Sequence, residues 1–395
     1  MSLKIAATTI ALLTATSLSA QAPGTAYIVT RLGVDTVSIE RYTRAADKLE
    51  GDLALRYTRG GTRLYHYSAQ LGPRGEIKSM TTVVRRPGME PTATPLIDIS
   101  GTFADSVAVF EVQRAGKRDT SSSGRKIFHG GVAPTLFLEP AAYGPYEQIL
   151  ASSGLGNDSV VYALVGPGAG PVPSIILRRR GADTVAFTST FFPGWTEVAR
   201  VDSRGRIMSI DATATTVKTV AERVPNLDFD AIAARWSATD AARGGGGIMS
   251  PADTARATIG SANVSVAYSR PAKRGRVIFG NIVPYNQVWR TGANAATVFN
   301  TDKDLMFGST LIPAGKYTLW TVPTPTGAKL IFNSETGQWG TDYHSEKDFT
   351  RVDLTTNRLS QPVEQFLITV LPQASGGVLR MAWDTTEYSI PFSVK

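Results

Sequence analysis

The chain is 395 residues long, 42% apolar and 19% charged, a globular composition rich in Thr, Val and Gly that favours strands and exceeds one ordinary core. A formal charge of +8 admits anionic partners without demanding them, because the basic residues are mostly scattered. Cysteine is absent, which excludes disulfides, thiolate-held metals and the lipid-modified cysteine of a lipoprotein.

The chain opens "MSLKIAATTIALLTATSLSAQAPGTA", with Lys4, an apolar stretch over residues 5–15 and the small residues Ser19 to Ala22. This pattern predicts a secretory signal over residues 1–22, with an apolar core too short to span a bilayer. The expected protein is secreted or periplasmic, is not a lipoprotein and has no transmembrane segment.

Residues 23–240 predict an antiparallel open curved sheet. "RLGVDTVSIERY" (31–42) matches "RRGADTVAFTST" (179–190), and "LGPRGEIKSM" (71–80) matches "VDSRGRIMSI" (201–210), a weak internal repeat with one hairpin fewer in its second copy. In each pair a strand meets a Gly turn, and Val37, Ile39, Val185 and Phe187 alternate toward a core. "RDTSSSGRK" (118–126) predicts an exposed tip. "GPGAGPVP" (166–173) predicts a turn, since no helix follows to make it a dinucleotide loop. A helix-like "VPNLDFDAIAARWSATDAA" (224–242) then leads into a glycine run, and residues 241–252 are expected to be a linker.

Residues 253–395 carry seven strand-like runs: "NVSVAYS", "TVFNT", "YTLWTVP", "AKLIFN", "EQFLITVLP", "VLRMAWD" and "YSIPFSV". Their count and spacing predict a β-sandwich, with Tyr317 and Leu319 pointing into its core after the Pro-Ala-Gly turn. The predicted fold is therefore all-β, in two domains.

Six blocks occur in order here: "SPADTARATIG", "YSRPAKRGRVIFG", "VPYNQVWRTGANAATVF", "IPAGKYTLWTVP", "NSETGQWGTDY" and "KDFTRV". Together they resemble the bacterial domain of unknown function 2911, over about residues 249–395. The resemblance implies a β-rich extracytoplasmic domain and assigns no catalytic residue. It does not reach the N-terminal half. His344 departs from the family pattern, where an acid or amide is more typical.

The strongest site candidate is the basic run with its continuation. Pro271 and Gly275 shape a turn from which Arg270, Lys273 and Arg276 can face one mouth, joined by Arg290 and Asn294, with Trp289 as a stacking surface for a sugar. Arg274 reads as plain surface. Two uses of these cations stay open: an anion or sugar site, or loops pinned through Asp348, Asp353 and Glu364. A nucleic-acid patch is disfavoured because the run is short.

Asp342, His344, Glu346 and Asp348 alternate, so on a strand they would share a face. This makes Asp342, His344 and Asp348 weak metal candidates, or an acid–base pair around His344, against the simpler reading of a solvated loop. The other histidines are His66, read as a surface residue, and His129. No His-Glu-x-x-His, Gly-x-Ser-x-Gly or Walker loop is present. Trp320, Trp339 and Trp383 read as core. The expected function is non-catalytic binding of an anionic or carbohydrate ligand, with no cofactor and no nucleic-acid partner. The alternatives are a hydrolase of envelope or extracellular polysaccharide working through carboxylates or His344, and a structural envelope protein.

Overall fold

The structure is a computed structural model that describes residues 24–56, 61–104, 106–134, 142–191, 194–242 and 249–395. The expected signal segment and the glycine run lie outside the described residues. The architecture is mostly β: a sixteen-stranded sheet in the N-terminal part and a nine-stranded sheet in the C-terminal part.

The first sheet is built from two meanders. One runs in chain order from Ala26–Leu32 to Lys117–Arg118, and the other from Ser159–Val165 to Val220–Val224. They join where Val220–Val224 pairs antiparallel with Ala26–Leu32, in the middle of the sheet. Period-two burial orients the strands. Along Arg63–Leu71, Tyr65, Tyr67 and Ala69 are buried while His66 and Gln70 face solvent. His66 is the surface residue expected, bonded to Asp52 at 2.9 Å.

The sheet is mixed, not wholly antiparallel as expected, because Gly131–Pro134 pairs parallel with Ser159–Val165. A parallel pair needs a crossover, and an unexpected helix, α1 (Tyr143–Ser152), lies within this one. Its short, Gly-Pro-containing sequence has little intrinsic helicity, so burial of Tyr143, Glu147, Ile149 and Leu150 must hold it. Pro145 is tolerated there, in the first turn. The backbone N–H groups of Tyr143 and Gly144 donate to the Glu40 carboxylate at 2.8 and 3.1 Å, which satisfies orphan donors of the helix start. Glu147 accepts from Arg44 (3.2 Å), from Ile207 N (2.7 Å) and from Arg223, so the helix is tied to three strands. The second helix, α2 (Phe229–Ala242), forms where the sequence predicts it and buries Phe229, Ala233 and Trp236.

The repeat exists in a different register from the one the residues suggest. Gly72 N bonds Glu76 O at 2.8 Å and Asp202 N bonds Arg206 O at 3.0 Å, so the Arg-Gly turns do correspond. Beside them, Leu71 N bonds Asp47 O and Val201 N bonds Asp183 O, both at 2.8 Å. The true counterpart of "RGAD" (180–183) is thus "RAAD" (44–47), one hairpin beyond the Gly33 turn. Shared hairpin residues make neighbouring turns look alike, and only the sheet register separates them.

The C-terminal path runs Ala252–Ile259, Ala262–Ser269, Thr297–Thr301, Gly315–Pro323, Ala328–Asn333, Asp348–Gln373, Gly376–Val394, Leu305–Phe307 and Thr310–Ile312. The pairings along it are antiparallel, and Phe299, Leu319, Phe332, Trp320 and Trp383 are buried within it. The seven expected runs fall in six strands, because "VLRMAWD" and "YSIPFSV" are one long strand. The remaining three were not announced. Ala252–Ile259 buries only Ile259, and the other two have three residues each, too few to show a period. The path folds back on itself: Ile368 N donates to the Tyr268 hydroxyl at 2.9 Å, and Phe366 N to Pro271 O at 2.9 Å.

The two sheets meet turn to turn. Val34 N donates to Arg274 O at 3.0 Å, and the Arg274 guanidinium pairs with Asp35. Arg274 is therefore a contact between the sheets, not plain surface. Gly33 has φ +61°, and a Cβ there would overlap Arg274 O. Gly33→Ala is expected to cost about 1–2 kcal/mol for the left-handed backbone and to part the two turns. Calorimetric unfolding should then resolve two transitions; a single transition like that of the wild type would mean this contact does not couple the sheets.

Candidate functional site

The basic turn positions its cations by using most of their donors. Arg270 Nε donates to Phe366 O at 3.1 Å, and its Nη1 lies 3.3 Å from Asp253. Lys273 Nζ reaches Asp384 at 2.5 Å. Arg276 donates to Lys273 O (3.0 Å) and Ala272 O (2.6 Å), closing its own turn. Arg270 and Lys273 are thus neutralised by carboxylates, though by Asp253 and Asp384, not by the acids the sequence suggested.

The second loop is locked through its backbone. Trp289 N and O pair with Thr321 O and N at 2.8 Å each. Thr291 Oγ1 meets Thr321 Oγ1 at 2.8 Å, and Asn294 Nδ2 lies 3.3 Å from Ser269 Oγ. The Trp289 ring stacks on Trp383 at 5.9 Å and meets Phe366 at 5.1 Å, so it serves packing more than a sugar. Trp339, read as core, is 52% exposed and adjoins Gly340, where a Cβ would overlap Arg290 Cδ.

Arg290 stands apart from the other cations. Its side chain is part-buried over Gly340, its Nε is shut off from solvent, and among the described residues it has no hydrogen-bond or ionic partner. Burial holds its pKa below the usual guanidinium range. The charge of Arg290 also reaches Lys218, in the turn before Val220–Val224 of the first sheet, which is part-buried and, among the described residues, likewise without a partner. Burial depresses Lys218 first, then Arg290 and Arg276. Burying a cation is costly unless a counter-charge accompanies it. Arg276 also feels the Glu364 and Asp35 carboxylates, whereas among the described residues no carboxylate acts on Lys218 or Arg290. Such an arrangement suits an anion.

Sequence reasoning could not find Lys218. It is a single lysine in "TTVKTV", far from the basic run, and only the packing of the sheets brings it near.

The other cluster is held in hydrogen bonds. Asp348 accepts from Tyr343 (2.6 Å), Asn333 (3.0 Å) and Arg351 (2.7 Å). His344 lies exposed on a loop, bonded to Glu335 at 2.7 Å, which raises its pKa. No group of three His, Asp or Glu among the described residues is placed to hold a metal. The acids with the most unusual settings are in the first sheet, where burial pushes Glu40 up to about 7 and Glu197 up to about 8. Neither lines the large cavity beside α1, so the paired carboxylates at one cleft that a glycosidase requires are not formed by them.

With Arg276 and Arg290 placed, their sequence context can be named. Residues 250–392 match the family model "Protein of unknown function (DUF2911)". The match coincides with the blocks quoted above and ends short of the N-terminal sheet. The DUF2911 part thus supplies Arg276 and Arg290, whereas Lys218 comes from outside it. No curated protein matches the chain. A solved structure of a DUF1089 family protein from Pseudomonas aeruginosa is similar at 13% identity, over 44% of this chain and 89% of that one, with a TM-score of 0.32. That score is too low to assign a fold.

Proposed function

We propose that this is an extracytoplasmic, non-catalytic binding protein that takes a small carboxylate- or phosphate-bearing ligand between its two sheets, with the folded-back DUF2911 path acting as a sandwich. The observation that carries this is Arg290, part-buried without a counter-ion among the described residues, whose charge reaches the equally unpartnered Lys218. An anion would relieve the repulsion that Arg290 and Arg276 exert on Lys218 and would use the Arg290 guanidinium fork packed over Gly340. Of the residues first singled out, Arg276 and Arg290 face this role. Arg270, Lys273, Trp289 and Asn294 shape the loops around it. The exposed Trp339 ring in the adjoining loop is where a sugar attached to the anionic group would lie.

The test is calorimetric titration of the full chain with inorganic phosphate and with an acidic oligosaccharide. Binding should weaken at least tenfold in Arg290→Ala and in Lys218→Ala, and should fall with salt. Binding that is undiminished in both variants would place the ligand elsewhere and reject the site. A glycan-specific loss in Trp339→Ala would assign the sugar contact. The secreted location is checked separately by sequencing the N-terminus of the exported protein, which should begin close to residue 23.

A further inference from the structure

The two segments of the first sheet that look least informative, "RDTSSSGRK" and "GPGAGPVP", meet in the structure. Gly168 N donates to Ser122 O at 3.1 Å. On one side of this seam lies a cavity of about 420 Å³, walled by Tyr146, Ile149, Leu164, Ile175 and Trp195 and roofed by the prolines of the glycine-rich loop. Its size is that of an ordinary small-ligand pocket. On the other side lies a smaller cavity of about 180 Å³, lined by Ser121, Ser122, Ser123 and Arg125. Lys126 and Ala169 line both. The two cavities are therefore adjacent, one mainly apolar and one of mixed lining, with a lysine at their boundary.

The charges at the smaller cavity are unequal in their commitments. Asp119, the nearby acid, is occupied by Arg114 (2.7 Å), Ser121 (2.6 Å) and Ser122 (2.8 Å), which hold it ionised well below the usual carboxylate range. Arg125 and Lys126 have no hydrogen-bond or ionic partner among the described residues. Lys126 is part-buried, which lowers its pKa, yet among the described residues nothing offsets its charge. A greasy chamber that opens beside two uncommitted cations is complementary to a molecule with a hydrocarbon tail and a negative head.

We infer that the N-terminal sheet binds a single-chain amphiphile, with its tail in the large cavity beside α1 and a carboxylate or phosphate head at Lys126 and Arg125. The tail supplies affinity through buried methylenes, and the head is selected by charge. This site is independent of the one between the sheets, and neither reading rests on the other.

The test is calorimetric titration of the full chain, below micellar concentrations, with laurate, decanoate, dodecyl phosphate and 1-dodecanol. Laurate should bind about sixteenfold more tightly than decanoate, at about fourfold per methylene. Dodecanol should bind at least tenfold more weakly than laurate. Lys126→Met should reduce the preference for laurate over dodecanol, and the double variant with Arg125→Met should remove it. Ala133→Trp, which fills the cavity, should abolish binding of all four. Tighter binding of laurate than dodecyl phosphate would assign a fatty acid, and the reverse a phosphate-headed lipid. Absence of binding, equal affinity for laurate and dodecanol in the wild type, or undiminished binding in Ala133→Trp would each overturn the assignment.

Discussion

Glu147→Ala should lower the unfolding free energy by about 3–5 kcal/mol, the usual cost of stripping one partner from a buried ion pair. Glu147 is 3% exposed and Arg223, its closest partner, 13%. Arg44, 28% exposed, holds the other oxygen. Removing the carboxylate leaves two guanidinium groups and the Ile207 N–H without their acceptor, although Arg223 keeps the Tyr42 hydroxyl (2.7 Å) and Ile207 O (2.7 Å). Glu147→Gln should cost less, because one acceptor oxygen survives, but it cannot offset two cations. Urea unfolding of the full chain measures both. Since this network ties α1 to strands from both meanders, the loss should appear as a lower midpoint, and proteolysis near α1 should accelerate. A change below about 1 kcal/mol would mean that the network behaves as a solvent-screened pair.

Glu197→Gln should act in the opposite direction at alkaline pH. Glu197 is fully buried on Trp195–Val201, and neither carboxylate oxygen makes a hydrogen bond of good geometry, Tyr146 being its nearest polar neighbour. Burial lifts its pKa from 4.5 to about 8. A raised folded-state pKa means that the folded protein holds the proton more tightly than the unfolded chain. The resulting stabilisation is complete below about pH 4.5 and is lost as pH rises through about 8. The shift corresponds to an amount on the order of 4–5 kcal/mol. Wild-type stability should therefore decline across this window, and Glu197→Gln should decline less, so that the variant is the more stable protein at its alkaline end. Glu40, raised to about 7, and His66, raised by Asp52, lose stability over an overlapping range in both proteins, so the comparison isolates Glu197. Equal pH slopes in urea unfolding would show that Glu197 finds an ionised partner in solution.

These buried acids show why part of the molecule is invisible in its sequence. Glu40 in "VSIERY" and Glu197 in "WTEVARV" sit among alternating strand residues and look like outward-facing carboxylates. Both are inward because α1 packs against the sheet, and α1 itself has too little helical pattern to be anticipated. Trp339 errs the other way: a tryptophan near a strand reads as core, and the loop after Asn333 leaves it half exposed. The importance of "YSRPAKRGRVIFG" was legible, since its Pro and Gly mark a shaped turn. The division of labour within it was not. Arg274 bridges the sheets and Arg270 and Lys273 are neutralised, because partners such as Asp35, Asp253 and Asp384 come from remote parts of the chain.

Composition, period-two alternation and turn residues are local properties. By themselves they determined the mostly β architecture, the helix ahead of the glycine run, the hairpin turns and the inward Tyr317 and Leu319, while the six quoted blocks carried the resemblance that the family model matches. Tertiary structure decided the parallel pair and its crossover helix, the register of the repeat, the meeting of two loops around a cavity, and which cations remain without partners. The reason is physical. Strand and turn preferences act over a few residues, whereas charge neutralisation and burial depend on neighbours that the chain brings together only on folding.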